Sequence, residues 1–334
     1  MLYAVKPSAP PRTAPLPLLV LAACCLAVAC DRDEGTALDD GYGEGRARLR
    51  VELTDAPIDD ANLEAVVVTV AEVRLDGERQ PLLSGARTVR LSDLTDGRVA
   101  ALGTEQTITA GIHANLEVVL DLANDERGDA PGCYALLADG SRVALGSPNA
   151  GTLTLSSNAG VRAEAGQTTR YIVDVDLRRA VEYGGPGAGD MAFAPAADVA
   201  AATRFLDADA TGSVRGEVRP TASAPPTDRL VLYVYPAGRF DAAYEAERGY
   251  RGAVTSCRVR ADGRFTFAFL PEGDYELVAV DYADADGDGR VEARAQLSAD
   301  ALIEQPTRAV GITAGAETSV RVDLGAALDF VVGG

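Results

Sequence analysis

The chain has 334 residues and a formal net charge of −19, with 50 acidic side chains against 31 lysines and arginines. Such a surface repels nucleic acid and anionic lipid and favours cations and solubility. Hydrophobic residues make up 47%, enough for two domains with real cores, which excludes a disordered chain.

The N-terminus reads as an export signal. Lys6 and Arg12 precede the apolar run Leu16–Ala29, and Cys30-Asp-Arg-Asp-Glu34 follows it at once. That run is shorter than the ~20 residues of a spanning helix, and Pro17 interrupts it. The segment resembles the bacterial lipoprotein signal, in which a lipobox cysteine is acylated and the peptide is cut before it. Cys24, in Leu21-Ala-Ala-Cys24, and Cys30, in Ala27-Val-Ala-Cys30, both fit that pattern. Polarity changes abruptly only after Cys30, which makes it the expected lipidation site, with residues 1–29 as signal peptide. Residues 30–46 are acidic and glycine-containing, the composition of a flexible tether.

From Arg48 the pattern turns to period two. Leu49, Val51 and Leu53 alternate with charges, predicting a half-buried strand over Arg48–Leu53. Ala65–Leu75 is Val-rich and predicts a central strand. Ala114–Leu122, Thr152–Leu155 and Thr168–Leu177 continue the series, with turn signals at Asp76-Gly77, Asp96-Gly97 and Asp139-Gly140 between them. Helical patterns are confined to Ala196–Phe205 and Asp241–Arg248. A polar break at Leu206–Thr211 precedes fresh strands at Gly212–Arg219, Arg229–Tyr235, Cys257–Arg260, Arg264–Leu270, Asp274–Tyr282, Arg308–Ile312 and Glu317–Leu324. The segment Asp262–Val280 reads as a hairpin turning at Pro271–Gly273, with Phe265, Phe267 and Phe269 on one face. The expected fold is all-β: two β-sandwich domains, immunoglobulin-like or prealbumin-like, at 47–206 and 212–325.

Three patches of the first domain carry a resemblance. They are Val51-Glu-Leu-Thr-Asp-Ala-Pro57 with Val66–Val70; Val89–Gly97 with Ala101-Leu-Gly103 and Thr109-Ala-Gly111; and Leu153–Ala159 with Tyr171–Asp176 and Phe193-Ala-Pro195. Together they resemble the bacterial lipoprotein family of domain of unknown function 4382, over about residues 47–205. His113-Ala-Asn115 departs from that family's pattern. The resemblance implies a β-rich envelope domain and no particular activity. Gly212-Ser-Val-Arg-Gly-Glu-Val218 and the Phe-rich segment are similar to the prealbumin-like modules grouped as carboxypeptidase regulatory-like domains.

The sharpest chemical signal is Asp284-Ala-Asp-Gly-Asp-Gly-Arg-Val-Glu292. Carboxylates of Asp284, Asp286 and Asp288 at loop positions 1, 3 and 5 would wrap a calcium ion, aided by the Arg290 carbonyl and by Glu292. The bidentate acid of position 12 is missing, because Ala295 stands there. His113 is the only histidine, so any Ser-His or Cys-His chemistry must pass through it, and a structural role is expected instead. Asp55 is expected to cap a turn before Pro57, and Asp174 and Asp176 to form a solvated face. Cys133 and Cys257 fall in different domains, where they either staple the two together or remain buried thiols.

The expected function is therefore a lipid-anchored cell-envelope protein for binding, adhesion or scaffolding, without catalytic activity. Its partners would be a membrane, through the anchor, and an envelope protein or glycan, with no nucleic acid. An accessory glycan- or peptide-binding subunit is the alternative. A carboxylate-dependent hydrolase ranks below both.

Overall fold

The computed structural model describes residues 45–329, apart from 57–62, 81–84, 147–150, 158, 184–190, 220–228, 284–291, 304 and 307–308. Two β-rich lobes follow one another along the chain.

The first lobe is a sandwich. Its first sheet runs in the order Thr203–Asp207, Thr168–Asp176, Arg46–Ala56 and Ala100–Ala101, with Gln106–Thr109 also paired to Arg46–Ala56. Its second runs Arg142–Ala144, Tyr134–Leu137, Leu63–Leu75, Leu116–Asp121 and Thr152–Ser156. The alternation read from the sequence explains the packing. Leu49, Val51 and Leu53 point into one core with Val66, Val68 and Val70 of the facing sheet. The first strand starts at Arg46, and the Gly45 carbonyl already accepts the Ala110 amide, so order begins inside the expected tether. Arg46–Ala56 and Thr168–Asp176 are parallel neighbours with Leu53 opposite Val173. A parallel pair needs a long crossover and is covered on both faces.

His113 has the structural role expected of it. Its Nδ1 lies 2.8 Å from Asp76 Oδ2 and its Nε2 2.9 Å from the Thr109 carbonyl, which ties two turns of the sandwich together. Asp76 and Gly77, at φ 53° and 80°, form the predicted tight turn.

In the second lobe one hydrogen-bonded path runs Thr255–Arg258, Leu230–Pro236, Gly273–Ala283, Glu292–Ile303, Glu317–Asp329, Thr211–Arg219 and Arg264–Pro271. It folds over so that its two end strands face each other across a second core built on Leu232, Phe265, Phe267 and Leu277. Pro271–Gly273 is not the expected hairpin turn. Arg264–Pro271 pairs with Thr211–Arg219, whereas Gly273–Ala283 pairs with Leu230–Pro236, so the turn is a corner between the two faces. A hairpin and a corner share the same local turn residues. Only the apolar demand of both faces separates them.

Phe269 also departs from the expected face. The register shifts between Gly212 and Val214, Phe269 takes φ 54°, and Leu270 fills the core in its place. A β-bulge changes the phase of the pleat and so re-aims one side chain. The expected helices appear as Ala196–Ala201 and Ala242–Glu247, the latter capped by Asp241, whose Oδ1 accepts the Tyr244 amide at 3.1 Å. Neither Cys133 nor Cys257 forms a disulfide; each is buried in its own lobe's core.

Candidate ligand cleft between the lobes

Along Arg46–Ala56, charges are solvated at the start and buried at the end. Arg48 and Arg50 are exposed, but Glu52, Thr54 and Asp55 are buried. Its parallel neighbour repeats the trend, with Asp174 4% and Asp176 5% exposed. The expected solvated face of Asp174 and Asp176 is thus overturned, because the second lobe covers this end of the sheet.

Arginines neutralise both carboxylates. Arg204 pairs with Asp174, with Nε at 2.9 Å, and its Nη1 reaches the Phe269 carbonyl of the second lobe at 3.5 Å. Arg178 forks onto Asp176 at 2.6 and 3.0 Å. It also donates to the Tyr250 carbonyl at 3.0 Å and lies 5.0 Å over the Tyr233 ring. Two buried ion pairs of the first lobe therefore make polar contacts with the second.

Beside these pairs opens a cleft of about 540 Å³. The first lobe supplies Thr54, Asp55, Ser92, Thr95 and Asp174; the second supplies Thr255, Ser256, Thr266 and Phe269. At its rim Arg260 of the second lobe binds Asp96 of the first at 2.8 Å. Gly97 makes this approach possible, since a Cβ there would stand 2.9 Å from that of Ala268.

Two side chains in this lining lack partners. Asp55 is 7% exposed and Ser256 3%, and among the described residues neither Asp55 carboxylate oxygen nor the Ser256 hydroxyl has a hydrogen-bond partner. Burial pushes the Asp55 carboxyl well above the usual carboxylate range, and the Asp174 and Asp176 charges push it further. The Leu177 amide and the Arg178 charge oppose this only in part. Asp55 is not the expected turn cap. It lies within a strand, opposite Val175.

No local pattern marks Ser256 or Phe269 as functional, and both escape a reading of the sequence. The bulge at Phe269 and the lobe contact beside Ser256 arise only in the folded chain. Cys30 lies outside the described residues, as do Asp284, Asp286, Asp288 and Arg290, while for Glu292 only the backbone is described, at the start of a strand. The flanks of that loop form a hairpin, with Ala283 opposite Glu292. Among the described residues no group of three or more His, Cys, Asp or Glu side chains is arranged to hold a metal, and no helix is long and apolar enough to cross a membrane.

Residues 46–195 match the family model of a domain of unknown function, DUF4382. This is the first lobe, where the three sequence patches lie. No curated protein matches the chain. Among solved structures it is similar to a candidate carbohydrate binding protein from Pseudomonas aeruginosa, at 17% identity over 35% of this chain and 91% of that one, with a TM-score of 0.22. The minor pilin of Streptococcus agalactiae matches at 10% identity over 85% and 99%, TM-score 0.20. The major pilin subunit of Bacillus cereus matches at 9% over 84% and 70%, TM-score 0.20.

Proposed function

We propose that this chain is a non-catalytic binding or scaffold protein of the cell envelope, anchored by lipid at Cys30, whose ligand site is the cleft between its lobes. One observation carries the reading. Asp55 from the first lobe and Ser256 from the second both bring buried, unpartnered polar atoms to the same cleft. Leaving such a group unsatisfied costs about 1–3 kcal/mol, and a ligand that pairs with it recovers that cost.

The ion pairing favours binding over carboxylate hydrolysis. A glycosidase-type mechanism needs two carboxyl groups free to exchange protons. Here Asp174, Asp96 and Glu64 each engage an arginine, namely Arg204, Arg260 and Arg90. Among the described residues Asp55 is left without an acid–base partner.

The same proposal takes 1–29 as a cleaved signal peptide, 47–206 and 212–325 as the two modules, the second of prealbumin-like type, and calcium as the occupant of the Asp284–Glu292 loop. The anchor would carry the protein on the outer membrane, on its periplasmic or surface face.

Both parts are tested in the native host. Cys30→Ser should release the protein from membranes and abolish fatty-acid labelling; labelling lost in Cys24→Ser instead would move the anchor. The detergent-extracted wild-type chain should retain envelope material that Ser256→Trp, which fills the cleft, does not. Equal retention by both would exclude the cleft.

A further inference from the structure

We propose that the cleft recognises a neutral, hydroxyl-rich ligand, a saccharide residue, held between Asp55 of the first lobe and Ser256 of the second. This rests on the reading of the cleft as the binding site.

Among the described residues of the lining, every acid other than Asp55 already has a cation. Asp174 is bound by Arg204, Asp96 by Arg260 and Glu64 by Arg90. The arginines of the lining are engaged as well, Arg260 by Asp96 and Arg258 by an interaction of its own, so a charged ligand would have to compete with one of these contacts or carry its charge into the buried end beside Asp55. A neutral ligand meets neither penalty.

The groups that remain are suited to hydroxyls. Burial beside Asp174 and Asp176 favours the protonated form of the Asp55 carboxyl, which can donate as well as accept, and the serine hydroxyl does both. Each can pair with an alcohol in either sense. Thr95, Thr255 and Thr266 extend the same chemistry along the walls. Beside them stands the ring of Phe269, turned from the core by its bulge and only partly buried, as an apolar surface for the C–H face of a sugar. The volume falls within the range of small-molecule clefts. Because one anchor comes from each lobe, the ligand would bridge them, and its affinity depends on both.

The test uses the full chain in detergent, with methyl glucoside, methyl galactoside, methyl mannoside and methyl N-acetylglucosaminide as neutral probes and glucosamine and glucuronate as charged ones. Ligand-observed saturation-transfer NMR and calorimetry read the binding. At least one neutral glycoside should bind, at least tenfold more tightly than either charged sugar. Ser256→Ala should weaken it about tenfold, the size of one hydrogen bond, and Asp55→Leu by at least as much. Ser256→Ala removes a single oxygen, so it separates lost recognition from a lost fold. Three results would overturn the inference: no glycoside bound, a charged sugar bound as tightly, or glycoside binding unmoved by both substitutions. If no sugar binds yet Ser256→Trp still abolishes retention of envelope material, the saccharide class fails and the cleft reading survives. If that retention is also unaffected, both fail.

Discussion

Asp55 is the residue at which a local reading and the folded chain part most clearly. Before Pro57 it has the context of a turn cap, yet it sits buried in a strand, with both oxygens unpaired among the described residues. Its folded pKa is raised, so the group favours the fold below the unfolded value of about 3.9, and this stability is lost as pH rises through the folded pKa. Asp55→Asn keeps the shape and removes the ionisation. The variant should therefore melt above wild type at pH 7–8, by about 2–4 °C for each kcal/mol relieved, and the gap should close near pH 4. Equal melting curves across that range would mean that Asp55 ionises without cost. Cys133 is the opposite case, fully legible once burial is known. Its thiol, pushed up to about 12 by desolvation, behaves as a small core side chain.

At the scale of elements, strand content was readable from alternation and strand partners were not. Leu49, Val51 and Leu53 declare a buried face wherever the strand is placed, but nothing in them selects a parallel neighbour more than 100 residues away. Gly273–Ala283 and Glu292–Ile303 form a hairpin. Its connecting loop concentrates Asp284, Asp286 and Asp288, whose mutual repulsion a calcium ion would relieve. Without the position-12 acid, the expected dissociation constant is about 10⁻⁴ to 10⁻³ M, that of an extracellular module. At ten times that concentration, binding stabilises the fold by roughly 1.4 kcal/mol. Millimolar calcium should thus raise the melting temperature more than sodium chloride of equal ionic strength, and Asp286→Asn with Asp288→Asn should remove the difference. An equal response to both salts would leave the loop as an acidic turn.

For the molecule as a whole, the junction of the lobes matters most, and Arg178 is its principal polar link. It holds buried Asp176 in the first lobe while touching the Tyr250 carbonyl and the Tyr233 ring in the second. Arg178→Ala leaves Asp176 as an uncompensated buried charge, a loss of about 3–5 kcal/mol. Urea unfolding followed by far-UV dichroism and tyrosine fluorescence should show coincident transitions for wild type and separated ones for the variant. Coincidence in both would mean that the lobes are coupled mainly by apolar contact.

The sequence by itself determined the all-β character, the lobe that matches the family of unknown function and the isolation of its single histidine, because period-two alternation, turn residues and composition act over a few neighbouring positions. The tertiary structure alone decided the rest. It turned Pro271–Gly273 into a corner, since two faces of apolar residues had to close on one core. It buried Asp174 and Asp176, since the covering surface belongs to a lobe remote in sequence. And it brought Asp55 to Ser256, some 200 residues apart, because burial is set by what arrives from elsewhere in the chain, and no local pattern records that.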